Sequence, residues 1–242
     1  MSRYIGIDGC KAGWLAVSRG RSGVTWRMFK TIRDVAAAFP GAERILIDCP
    51  IGLPSSAAPI RPCDQLARKA LGKPRMSSVF PVPCREALMA GGLVEARRIN
   101  QLHLGRSLGA QTWAISSKIA EVDEFLRADL KRHVVFREIH PEVCFWALAG
   151  GHPMVHRKKT GAGEYERLQV LRHHLPEIDD LMSDVRSTTL RKDVQPDDVI
   201  DAAVGFVTAE ARSGRISTLT GSPSHDDSGF PLEMLYLHPD TD

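Results

Sequence analysis

Apolar positions in the first fifty residues repeat with a period of two and then with a period near 3.6. Tyr4-Ile5-Gly6-Ile7 has buried-strand character and stops at Asp8-Gly9, which predicts a strand over residues 3–8 with a sharp turn at Gly9. Trp14 to Ser18 is a second apolar run, and Val24 to Phe29 alternates as a third. The short glycine-containing connections between these runs predict an antiparallel meander. Ile32, Val35, Ala36 and Phe39 then fall at helical spacing behind Thr31, a residue able to cap, and Pro40-Gly41 ends that helix. Ile45 to Asp48 is a fourth strand, reached by a helical crossover and therefore expected to pair in parallel with an earlier one.

The pattern changes at Cys49. Prolines recur at positions 50, 54, 59, 62, 74, 81 and 83, so the stretch up to about residue 112 reads as irregular, with short helices at 64–71 and 85–98, the latter interrupted at Gly91-Gly92. Arg61, Arg68, Lys69, Lys73, Arg75 and Arg85 cluster here against few acids. A segment this long without regular structure is more often functional than decorative; a lid, a surface for a polyanion or a plain solvated loop would each fit. Regular periodicity returns with a helix over 113–127, a strand over 133–138 and a helix opening at His140-Pro141. Further helices are expected over 164–175, 176–185 and 197–212, and Leu235-Tyr236-Leu237 suits a final strand. With no internal repeat and no linker, residues 1–242 read as one domain in which residues 50–112 are an insertion.

Composition narrows this only a little. A chain of 242 residues can bury a sizeable core, and 43% hydrophobic with 25% charged content is ordinary for a soluble protein. The net charge of +3 is small beside 32 basic and 29 acidic side chains, so the overall balance selects no partner. No apolar run approaches the roughly 18 residues that span a bilayer, and the first residues lack a basic-then-apolar leader pattern. Five scattered cysteines without a C-x-x-C pair argue against a disulfide framework or a structural zinc site. The expectation is a cytoplasmic protein with no membrane partner.

The chemistry that stands out is acidic. Three apolar runs end in an acid, at Asp8, Asp48 and Glu138, and Asp197, Asp198 and Asp201 open a late helix. Any one of these alone reads as a turn residue or a cap. Asp198 and Asp201 are three apart and share a helix face with Ala202, Gly205 and Ala209, while Ile200, Ala203, Val204 and Val207 cover the other side. Such a helix should be largely buried, and a buried carboxylate without a partner costs several kcal/mol. The helix dipole accounts for Asp197 but poorly for Asp201, which is already in the second turn. A hard divalent cation, magnesium or manganese, accounts for the set better. Two such ions about 3.5–4 Å apart would serve phosphoryl displacement. The nine histidines show no H-E-x-x-H or H-x-H spacing, and His140 with Glu142-Val143-Cys144 is only a weak Cys/His arrangement.

Several segments together are similar to a known family. They are Gly6-Ile7-Asp8-Gly9-Cys10-Lys11-Ala12-Gly13-Trp14, Ile47-Asp48-Cys49-Pro50-Ile51-Gly52-Leu53-Pro54, Cys63-Asp64 with Ala67-Arg68, and Ser77-Ser78-Val79-Phe80. Lys118-Ile119 with Glu121-Val122-Asp123, Glu138-Ile139-His140-Pro141-Glu142 and Asp197-Asp198-Val199-Ile200-Asp201-Ala202 complete the set. Over nearly its whole length the chain resembles domain of unknown function 429, a family described as predicted nucleases with a ribonuclease H-like fold. The resemblance implies a mixed α/β sheet, three antiparallel strands followed by parallel ones, flanked by helices and carrying a large insertion after the fourth strand. It also implies that Asp8, Asp48, Asp198 and Asp201 are metal ligands, with Glu138 supplementary.

The reading that follows is a magnesium- or manganese-dependent hydrolase of phosphodiester bonds in DNA or RNA. Lys11, Arg68, Lys73, Arg75, Lys118 and Lys158 are its candidate phosphate contacts. Two other readings are carried forward: a non-catalytic binding or scaffold module, and an actin-like phosphate-handling ATPase, for which one Asp-Gly strand opening in 242 residues is too little.

Overall fold

The computed structural model describes residues 2–238. Strand β1 (Tyr4–Cys10) runs two residues further than the pattern predicts, because Cys10 still pairs with Gly13. Asp8 therefore lies inside β1, opposite Leu15, and not at a strand tip. The turn falls at Lys11-Ala12, and the residue that needs to be glycine is Gly13: its φ is +142°, and a Cβ there would meet the Phe29 carbonyl oxygen at 2.0 Å. Strands β2 (Gly13–Gly20) and β3 (Gly23–Phe29) complete the antiparallel meander.

Thr31 caps α1 (Ile32–Ala38) reciprocally with Asp34: its hydroxyl accepts from the Asp34 N–H at 3.2 Å, and the Asp34 carboxylate accepts from the Thr31 N–H at 3.0 Å. The crossover delivers β4 (Arg44–Ile47) parallel to β1. The inserted segment holds α2 (Pro62–Arg75), α3 (Arg85–Leu88), α4 (Leu93–Leu104) and α5 (Ala110–Ala114), the last broken at Ile115 from α6 (Ser116–Arg127). Strand β5 (Phe136–Glu138), parallel to β4, is shorter than expected; Leu130–Val134 forms a 3₁₀ turn in which Leu130 and Val134 are exposed. Helices α7 (Pro141–Leu148), α8 (Gly161–His174), α9 (Ile178–Thr188) and α10 (Pro196–Glu210) follow. The last predicted strand exists but leaves the main sheet: β6 (Ile216–Thr218) and β7 (Leu235–Leu237) pair with each other, and a single Ile139–Leu235 bridge ties them to the sheet edge.

The main sheet has the order β3-β2-β1-β4-β5. Its two faces feed separate cores, as strand alternation requires. Ile5, Ile7, Trp14, Ala16, Ile45 and Ile47 pack with Ile32 and Val35 of α1 and Ile119 and Val122 of α6. Leu15, Val17 and Leu46 pack with α10 and its neighbours α7, α8 and α9. Helix α10 is buried without interruption from Val199 to Ala209, as its all-round apolar pattern demands. It lies directly on β1: a Cβ on Gly6 would fall 2.0 Å from the Phe206 nitrogen and 2.2 Å from the Ala202 oxygen.

Two arginines of the insertion, Arg61 and Arg85, turn inward. Arg61, 1% exposed, holds Asp64 at 2.8 Å, the Ile51 carbonyl at 3.1 Å and Glu138. Arg85 bridges Asp123 and Asp226 at 2.8 and 2.7 Å. Among the described residues no helix is long and apolar enough to cross a membrane.

Replacing Gly6 by Ala is expected to destabilise the fold by about 3 kcal/mol or more, since backbone, unlike a side chain, cannot step aside. Gly41→Ala, with open space around the new methyl, is the control and should change stability by less than about 1 kcal/mol. Urea denaturation of both variants measures the difference.

Candidate acid site

Strand parity decides which acids meet. Gly6, Asp8 and Cys10 alternate with Ile5 and Ile7, so Asp8 is directed to the α10 face of the sheet. The Asp48 N–H donates to the Ile7 carbonyl at 3.1 Å, continuing the ladder one residue beyond β4 and keeping Asp48 on the Leu46 side, the same face. Asp201 reaches that face from the second turn of α10 and is 1% exposed. The close approach of Gly6 to α10 brings strand and helix acids within reach of one another.

One cation stands among them. Lys158 comes from the loop between α7 and α8, and its Nζ donates to Asp201 Oδ2 at 2.6 Å, with Asp197 Oδ2 at 3.6 Å. The loop is pinned where Gly163 of α8 packs on the Arg157 carbonyl, so closely that a Cβ would sit 1.9 Å from its oxygen. Thr160 caps the helix that begins there. Burial pushes Asp8 well above the ordinary carboxylate range; Asp48, Asp201 and Asp198 push it further, and Lys158 pulls the other way. Asp48 is driven by burial and by Asp201 to about 7, and Asp198 by burial to about 6. Asp201 in turn pushes the Lys158 ammonium further up, so it stays charged.

The four acids have different commitments. Asp198, not Asp197, completes the capping box of α10 with the N-cap Gln195: its Oδ2 accepts the Gln195 N–H at 2.7 Å. Asp8 uses Oδ1 on the Gly9 N–H at 2.7 Å. The oxygens of Asp8, Asp48 and Asp201 do not all lie within 4.8 Å of one another. A mixed group among the described residues does meet that spacing: Cys84 and Glu86 at the start of α3 with His103 in the last turn of α4. Cys84 there is also packed in a small apolar cluster with Ala87 and Leu104.

Glu138 is engaged elsewhere. Its register partner is Ile47, whose side chain lies on the α1–α6 face, while beyond the strand ends Glu138 and Asp48 line one small cavity with Arg61, Asp64 and His140. Glu138 accepts the Ile51 N–H at 2.6 Å and the Arg61 guanidinium. Burial pushes its carboxyl up to about 8 against the pull of Arg61. The six basic candidates also divide. Arg68 donates to the Val79 carbonyl at 2.8 and 3.0 Å, and Arg75 to those of Met154 and Val155 at 3.0 and 2.9 Å. Lys118 donates to the Gly13 carbonyl at 2.6 Å and lies over the Trp14 ring. Lys11 and Lys73 are exposed, and Lys158 is the one at the acids.

Two residues near the site carry more than the sequence suggested. Glu142, in the first turn of α7, is 5% exposed, and its charge contributes to the upward push on Asp48. His140, the residue that precedes α7, is pushed down by burial, with Asp201 acting against that shift. The available signal was position: α7 starts just beyond β5, next to β4, which Asp48 follows directly.

The fold and site define an α/β protein with a five-stranded mixed sheet and a buried acid cluster on one face. The chain belongs to the family described as "Protein of unknown function (DUF429)", whose profile matches residues 6–225. No curated protein and no solved structure matches it.

Asp48 and Asp198, at about 7 and about 6 when folded, keep protons that an unfolded chain loses near pH 4. The folded state therefore binds more protons across that window, and stability is lost as pH rises from about 4 to about 7. In chelator-treated buffer, Asp48→Asn should flatten this slope and raise the Tm at pH 8 above that of the wild type. A lower Tm for the variant at pH 8 would mean that the acids do not repel one another.

Proposed function

We propose that this protein is a divalent-metal-dependent phosphodiester hydrolase of nucleic acid built on a ribonuclease H-like fold. The observation that carries the reading is the convergence of Asp8, Asp48 and Asp201 on one sheet face, each buried or half-buried, with one ammonium to offset them. The strand order, with an antiparallel meander, two parallel strands and a late helix lying on β1, supports the fold assignment.

The donor set fits a hard cation. It offers carboxylate oxygens from two strands and a helix; the neighbouring Cys144 thiol is pushed up to about 12 by burial and stays protonated, a poor ligand. When bound, magnesium or manganese supplies Lewis acidity for displacement at phosphorus. Asp8, Asp48 and Asp201 would hold it, with Asp198 braced from the α10 cap. Lys158 neutralises Asp201 and would be free to donate to a phosphate oxygen where a bound cation took over that charge. The exposed Lys11 and Lys73 add long-range attraction for a polyanion.

Manganese at about 100 times its Kd should stabilise the protein by about 2.7 kcal/mol, a Tm rise of roughly 5–10 °C. Asp8→Asn should remove most of that rise. Against a panel of structured and linear DNA and RNA, Asp201→Asn should lower manganese-dependent cleavage by about 100-fold or more. Equal inactivity of wild type and variant over the whole panel, with manganese still stabilising the wild type, would favour a binding module; no stabilisation at all would remove the metal site.

A further inference from the structure

A buried acid four positions beyond Glu138 is only half used. Glu142 Oε1 takes the guanidinium of Arg167, itself 1% exposed, while Glu142 Oε2 is buried and has no hydrogen-bond partner among the described residues. Native structures seldom leave a buried carboxylate oxygen unpaired, and the usual explanation is a bound water or ion. A second unpartnered atom lies two residues away. His140 Nε2 is 3.4 Å from the Ser78 carbonyl, and its buried Nδ1 has no partner among the described residues. In the tautomer that donates Nε2–H to Ser78, Nδ1 is an acceptor without a donor, a role that a water molecule fills. Chain continuity places His140 beside the end of β4: the Ile139 N–H donates to the Ile47 carbonyl at 3.0 Å, so β5 stays laddered to β4 up to the residue before His140. His140 and Asp48 line one small cavity beyond the ends of β4 and β5, and the Glu142 charge adds to the upward push on Asp48.

We propose that Glu142 is a metal-ligating carboxylate of the acid site, presenting Oε2 to the cation while Arg167 holds Oε1. The inference rests on the metal-site reading above and assigns to α7 the supplementary role that the family resemblance implies for Glu138. Glu138 is committed differently: its Oε2 takes both the Ile51 N–H and Arg61, and its register partner is Ile47 rather than Leu46.

Manganese titration of the chelator-treated protein by calorimetry tests this, with folding of each variant checked by circular dichroism. Glu142→Gln alone strands the Arg167 charge, so Glu142→Gln/Arg167→Met, which removes both charges, is the principal variant. It should bind manganese about 10-fold or more weaker than the wild type. Glu142→Asp, which keeps the charge for Arg167 but shortens the reach by one methylene, should also bind more weakly while keeping its fold. Glu138→Gln should lose stability and keep its affinity. Wild-type affinity in folded Glu142→Gln/Arg167→Met, with binding abolished in Asp8→Asn, would overturn the role of Glu142 and leave the metal site standing. A wild type that binds no manganese would overturn both.

Discussion

The site depends on a contact between two backbones. Gly6 of β1 and Gly205 of α10 allow strand and helix to approach until a methyl on Gly6 would overlap the helix backbone and one on Gly205 would sit 3.3 Å from the Gly6 Cα. With ordinary side chains at these positions the helix would ride higher on the sheet. Asp201 would then move away from Asp8 and Asp48, and the mutual repulsion that characterises the cluster would fade. The core on this face, from Leu15 and Leu46 to Val204 and Phe206, holds the contact closed and draws its stability from apolar burial on both sides.

Much of this is legible in the sequence, for physical reasons that apply to particular residues. Alternation and glycine-bearing turns mark the first three strands, and helical spacing behind Thr31 marks the crossover. The helix from Pro196 is readable as buried because apolar residues surround it, which makes Asp201 anomalous on the strength of its neighbours alone. What stays hidden depends on register and on long-range pairing. Glu138 is as much a strand-end acid as Asp48, yet its register partner is Ile47 and its carboxylate is taken by Arg61, and nothing local encodes that register. The inward turn of the insertion's arginines is equally invisible, because Arg61 and Arg85 find partners 77 and 141 residues away. The length of β1 escapes the pattern for a smaller reason: glycines at 9 and 13 bracket its end, and the turn belongs to the later one.

The insertion is fastened to the body by apolar packing of Cys63, Ala67 and Leu71 against Val143, Leu232 and Met234, and by charge. Arg61 ties its start to Glu138 on β5, and Arg85 ties its middle to Asp123 on α6 and to Asp226 near the chain's end. Asp226 also accepts the Leu53 N–H at 3.0 Å, so the segment after β4 is held at both its backbone and its side chains. Buried pairs of this kind specify position more than they add stability. They fix where the loops around the acid cluster lie, while the cluster itself stands on the sheet and α10.

Asp8 lies within a strand, paired with Leu15 of β2, and the residue before it is laddered to β4 and to the Asp48 N–H. An acid on a loop relieves repulsion from its neighbours by drifting apart from them. An acid mounted in mid-sheet has no such freedom, since its backbone is fixed from both flanks. The repulsion thus persists as a standing electrostatic tension, released only when a proton or another positive charge arrives. Rigidity of this sort makes the sheet itself a sensor of positive charge.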